Sequence, residues 1–151
     1  MKPNDGLPKV VAVDLDGTIL QPVWEVPNTT IHNYETQFGR VLPMVRESLN
    51  SIWFWGYKIV IWTTRTDTEA VRNFLVDKKI PFDEINKNPK EVKEAFRWGP
   101  GKGEEPRKIY YTYLIDDRAG FEGDWNMVLR KLSPGTAAEE AYGWLLADDN
   151  M

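Results

Sequence analysis

Val10–Thr18 reads VVAVDLDGT. With Lys9 in front, its first half is a short, nearly continuous apolar run rich in valine. Such a run predicts a strand buried on both faces, as in parallel sheets covered by helices. The run stops at Asp14, and Asp16-Gly17-Thr18 turns the chain. Two carboxylates therefore stand at the end of a buried strand. That is where an open α/β sheet places its ligand crevice.

The same pattern recurs further along. Tyr57–Trp62 (YKIVIW) predicts a second buried strand, ending in Thr63-Thr64-Arg65. Ile109–Ile115 (IYYTYLI) predicts a third, followed at once by Asp116-Asp117-Arg118. A short strand is expected over Ile80–Ile85. Between these runs the apolar residues take helical spacing. Leu42–Trp55 carries Val45, Leu49, Ile52 and Trp53 on one face, with Pro43 in its first turn and Gly56 as its stop. Thr66 and Glu69 form a capping box for a helix burying Ala70, Val71, Phe74 and Leu75. Further helices are expected over Glu91–Trp98, around Trp125, Val128, Leu129 and Leu132, and around Ala138, Ala141, Tyr142 and Leu145, the last capped by Thr136 and Glu139. Residues 21–40 are polar and irregular, with Pro22, Pro27 and Gly39, and read as a flap. Alternating strands and helices predict an α/β fold with a doubly wound, mostly parallel, Rossmann-like sheet.

The chain has 151 residues, the size of one domain spanning 1–151 with little room for a second. Such a length buries about 68–70% of the unfolded surface, enough for a core without staples. There is no Cys, which removes disulfides, thiolate metal sites and Cys nucleophiles. One His removes a His-rich zinc site. The net charge of −4 supplies no global basic field for nucleic acid. No apolar run approaches ~18 residues, so no membrane span is expected. Met1–Lys9 lacks the apolar stretch of a signal peptide, and a cytoplasmic location is expected.

Three strand ends thus converge on one sheet edge with Asp14, Asp16, Thr63, Thr64, Asp116 and Asp117. Four crowded carboxylates cannot all stay ionised without a counter-charge. A hard divalent cation resolves that, and oxygen-only ligands favour magnesium over zinc. Few carboxylate ligands leave metal positions open for phosphate oxygens. Thr63 adds a hydroxyl donor and Lys108 a positive charge, which together suit a transferring phosphoryl group.

These residues carry a resemblance. VVAVDLDGT resembles the first motif of the haloacid dehalogenase-like (HAD) phosphohydrolase superfamily. IVIWTT (Ile59–Thr64) resembles the second, an apolar strand ending in Thr or Ser. Lys108, 8 positions before Asp116, resembles the third, with Lys102 as its rival. YLIDDR (Tyr113–Arg118) resembles the fourth. All four fall in the family's order within residues 10–118.

The resemblance implies an aspartyl-phosphate mechanism. Asp14 would be the nucleophile and Asp16 the general acid, then base. The Asp14 carboxylate and the Asp16 backbone carbonyl would bind Mg2+, with Asp116 or Asp117 completing the site. Thr63 and Thr64 would hold phosphoryl oxygens, Lys108 would balance charge, and Gly17 would let backbone approach the phosphate. The second Asp of the pair resembles the phosphotransfer branch, which argues against dehalogenation. Neither gap between motifs fits a separate domain, so the chain resembles the capless branch.

An open site tolerates large substrates, and suits small ones if an oligomer or the flap supplies a lid. The expected substrate is a phosphate ester of unknown identity. The resemblance also extends to the phosphatase half of polynucleotide kinase–phosphatases, so a nucleic-acid 3′-phosphate is an alternative. Lys87, Lys90, Lys93, Arg97, Lys102, Arg107 and Lys108 form a basic stretch, which Glu91, Glu94, Glu104 and Glu105 dilute. A non-catalytic metal-binding module is the alternative of another class. Arg65 and Arg118 either bind the leaving group or pair with the acidic cluster, and pairing is favoured. His32 reads as plain surface. Trp24, in the flap, is placed to offer an aromatic face to a sugar or base.

Overall fold

The computed structural model describes residues 6–28 and 34–134. His32, the 136–145 helix and the C-terminal tail lie outside the described residues. Strand β1 (Val10–Asp14) lies between β2 (Lys58–Trp62) and β4 (Tyr113–Ile115), and β3 (Glu84–Ile85) flanks β2. Every pairing is parallel, in the order β3-β2-β1-β4. The chain thus extends the sheet from β1 to β3, then returns to the far side of β1. The strand order reverses between β1 and β4, where a parallel sheet opens a crevice beyond its carboxyl ends.

β1 is buried on both faces, as its sequence predicts. Val11 and Val13 enter a large core with α1 (Val45–Phe54), α2 (Thr68–Asp77) and α4 (Trp125–Leu132). Val10 enters a smaller core with Val60, Val92 and Ile109. Val92 comes from α3 (Lys90–Phe96). In α1, Val45, Leu49 and Ile52 follow the i, i+4, i+7 row and are buried, while Trp53, about 100° further round, is 51% exposed. Trp53 therefore leaves the expected core face.

Several boundaries move for physical reasons. Met44 takes the left-handed conformation (φ 70°), so α1 starts at Val45 and Pro43 stands outside its first turn. The N-cap of α2 is Asp67, whose carboxylate accepts from the Ala70 amide at 3.0 Å. Thr66 does not cap it; its amide and hydroxyl both donate to Glu35. The third strong strand is shorter than expected, 113–115 rather than 109–115. The Tyr110 amide donates to the Asn88 side chain at 2.9 Å, which satisfies it outside the ladder. Ile109 still contributes, through the smaller core.

The 21–40 loop is closed at its neck. Gln21 N–H donates to Arg40 O at 2.8 Å, and Leu20 bridges Val41 antiparallel. Within it, Val23–Glu25 and Tyr34–Thr36 form single 3-10 turns. Among the described residues, no helix is long and apolar enough to cross a membrane.

Candidate functional site

Sheet register builds the site. Asp14 pairs with Trp62, and Val13 with Ile115, so Asp116 emerges level with Asp14 on the neighbouring strand. Asp14, Asp116 and Asp117 each offer an oxygen, and these lie within 4.8 Å of one another. Such a set of carboxylate oxygens is suited to a hard cation.

The two β4 carboxylates divide the work. Asp116 lines a cleft of about 300 Å³, and its Oδ1 accepts from the Arg118 amide at 2.9 Å, starting the 3-10 turn Asp117–Ala119. Asp117 turns back towards β1. The Thr18 hydroxyl lies 3.3 Å from Asp117 Oδ1 and 3.4 Å from Asp14 Oδ2, and it accepts from the Asp117 amide at 3.0 Å. Thr18, 1% exposed, thus ties the first strand's carboxylate to the fourth strand's loop. Its signal in the sequence is its place four residues after Asp14.

Gly17 is required here, by Asp117. Its φ is +96°, and a Cβ there would stand 2.5 Å from Asp117 Oδ2. Close approach of this carboxylate therefore depends on glycine. Gly17→Ala is expected to cost about 1–3 kcal/mol in urea unfolding and to weaken divalent-cation binding by calorimetry. Unchanged cation binding would mean that Asp117 is not held by this approach.

Crowding shows in the chemistry of Asp14. Burial, first, then the Asp117 hydrogen bond and the charges of Asp116 and Asp117, push its carboxyl up to about 8. In the folded, metal-free protein Asp14 keeps its proton to about pH 8; unfolded, it loses it near the ordinary aspartate value of 3.8. The folded state binds the extra proton between these limits, so stability falls as pH rises through them. The Tm measured in chelator is expected to fall between pH 5 and 8. Asp14→Asn is expected to flatten that slope. A Tm rising over this range, or a slope unchanged in the variant, would contradict it.

Asp16 stands apart from the acidic triad. Its Oδ2 accepts from Arg65 Nε at 2.8 Å and its Oδ1 from Arg65 Nη2 at 2.9 Å. Arg65, 1% exposed, also donates to Gln37 O at 2.7 Å and lies over the Phe38 ring at 4.3 Å. Arg65 therefore pairs with the acidic cluster, the favoured alternative, and joins it to the 21–40 loop. Phe38 stacks on Phe74 of α2 at 4.4 Å. Glu35 accepts from the amides of Thr66 and Asp67. These anchors, from Glu35 to Phe38, were not foreseen. They join segments far apart in sequence, and nothing local announces them.

Thr63 lines the same cleft and is fixed by its neighbours. Its amide donates to Asn86 Oδ1 and its carbonyl accepts from Asn86 Nδ2, both at 2.8 Å. Its hydroxyl oxygen accepts from the Arg65 amide at 3.1 Å. Among the described residues, no acceptor takes the hydroxyl proton of Thr63. Thr64 is exposed on the same cleft.

Lys108 lines a different cavity. It borders a groove of about 430 Å³ on the sheet face of Ala12 and Leu114, with Arg107 and Tyr111. Trp62 is the wall that groove and cleft share. Lys102 lies exposed in the tight turn 99–103 and lines neither.

No protein-family model matches the chain, and no curated protein does. A solved structure, that of a conserved protein from Bacteroides thetaiotaomicron, is similar with a TM-score of 0.59 and 23% identity. The match covers 88% of this chain and 97% of that one. At this identity the likeness is one of fold.

Proposed function

We propose that the chain is a magnesium-dependent phosphomonoester hydrolase, a capless, doubly wound member of the HAD-like superfamily, with Asp14 as nucleophile. One observation carries the reading. A single parallel sheet brings the oxygens of Asp14, Asp116 and Asp117 within 4.8 Å at its strand-order reversal. Thr63, with a hydroxyl proton to give, stands on the same cleft as Asp14.

Asp14, Asp116 and Asp117 would hold Mg2+, whose charge offsets theirs and that of the phosphoryl oxygens. The site's own residues supply the rest. An Asp14 oxygen attacks phosphorus while the bond to the leaving oxygen breaks, giving an aspartyl-phosphate. Asp16 gives its proton to the leaving oxygen. It then takes a proton from the water that cleaves the aspartyl-phosphate, releasing inorganic phosphate and restoring Asp14. Thr63 donates to a phosphoryl oxygen throughout. Lys108 lines the neighbouring groove, which shares Trp62 with this cleft.

One observation favours a non-catalytic module instead. Both oxygens of Asp16 are held by Arg65, so proton transfer needs one of them to be released. A phosphatase screen separates the readings: sugar phosphates, nucleotides, phosphopeptides and 3′-phosphorylated oligonucleotides, each with Mg2+ and with chelator. Mg2+-dependent phosphate release supports the enzyme. Calorimetric Mg2+ binding without turnover across the panel supports the module.

A further inference from the structure

The walls above the acidic triad are aromatic. Trp24, from the 3-10 turn of the 21–40 loop, and Trp62, from the end of β2, both line the cleft that holds Asp14 and Asp116. They are 60% and 41% exposed. Both indoles leave apolar surface open to this cavity, and covering it with a flat ring would be favourable. Trp24 is well placed. Val23 beside it is buried and lines the same cleft, and the Val26 amide closes the turn on Val23 O at 3.1 Å. Trp62 is fixed as the strand partner of Asp14.

The charge pattern is as specific. Arg65 is committed to Asp16, whereas the Arg118 guanidinium, on the cleft wall, enters no ion pair among the described residues. A phosphate dianion entering beside three carboxylates gains from that cation. The volume, about 300 Å³, is at the small end for ligand pockets and suits a phosphoryl group with one ring system.

We infer that the substrate is a phosphate monoester carrying a flat aromatic ring, recognised by Trp24 and Trp62 and drawn in by Arg118. This inference rests on the phosphohydrolase reading and adds the substrate class to it. Aromatic faces bind any flat ring system and give selectivity over sugars alone.

Adenosine 5′-monophosphate and ribose 5-phosphate test it, since both lose phosphate from a primary 5′ oxygen and differ in the base. With Mg2+, kcat/KM is expected to favour the nucleotide by about 5- to 150-fold, the range that one base stacked on an aromatic side chain supplies. Trp24→Ala and Trp62→Ala are each expected to reduce that ratio, and together to bring it near one. A wild-type ratio near one, or a ratio preserved in the double variant, overturns the inference while leaving the hydrolase reading intact. Should neither ester be hydrolysed, the full phosphatase screen decides the hydrolase reading. Calorimetric binding of the same two compounds, wild type against double variant, then decides ring recognition by the same ratio.

Discussion

Asp14→Asn is expected to lower kcat for any phosphate ester the protein hydrolyses by about 10⁴-fold or more, the scale of removing a nucleophile. The substitution keeps the shape of the side chain and its place in the Thr18 and Asp117 contacts, so the fold should remain. It also removes the group whose burial and acidic neighbours raise its proton affinity, so the metal-free variant should be at least as stable as wild type at pH 8. Loss of activity together with retained or increased Tm distinguishes a chemical role from a structural one. Activity within tenfold of wild type would rule out Asp14 as nucleophile. A mass shift corresponding to one phosphoryl group, trapped on wild type by rapid acid quench and absent from the variant, reads the covalent step directly.

Arg65→Ala is expected to destabilise the fold by about 3–5 kcal/mol, measured as a lowered urea midpoint. The guanidinium is fully buried against Asp16, Gln37 and Phe38, and Asp16 has a side chain only 12% exposed. Its removal strands a carboxylate and a carbonyl in a cavity, the costly half of breaking a buried pair. A domain with a typical 5–15 kcal/mol of stability has a large fraction of it at risk. Arg65→Lys should recover little of this loss, because an ammonium cannot fork to both Asp16 oxygens and stack on Phe38 at once. Hydrogen exchange should rise in residues 34–40, which Arg65 helps anchor to α2. A loss under about 1 kcal/mol would show that the loop is held by Glu35 and the Phe38–Phe74 stack without Arg65.

The two substitutions also mark the limit of what could be read in the chain. Asp14 was legible because a valine-rich run ending in Asp-x-Asp-Gly has both a strand period and a chemical end. The Asp116-Asp117 pair was legible for the same reason. The role of Arg65 was narrowed to two alternatives, because its position after a strand says nothing about which way the side chain turns. Only the packed loop, with Gln37 and Phe38 behind it, selects between them. Gly17 reads in the sequence as a position needing close approach, and the structure adds Asp117 as a group that approaches it. Asp117 lies a hundred residues away, and nothing local names it.

The sequence by itself determined the alternation of buried strands and amphipathic helices, and hence which residues end up beyond the strands' carboxyl ends. This follows because burial on both faces and helical spacing are local patterns with local energetic causes. Tertiary structure alone decided the rest. Strand order put β4 beside β1, and register set Asp116 level with Asp14. Side-chain packing turned Asp117 towards Thr18, drew Asp16 to Arg65 and left Lys108 in the neighbouring groove. Such choices depend on charges and volumes brought together from distant parts of the chain. A carboxylate's partner is whichever group the fold delivers to within a few ångströms.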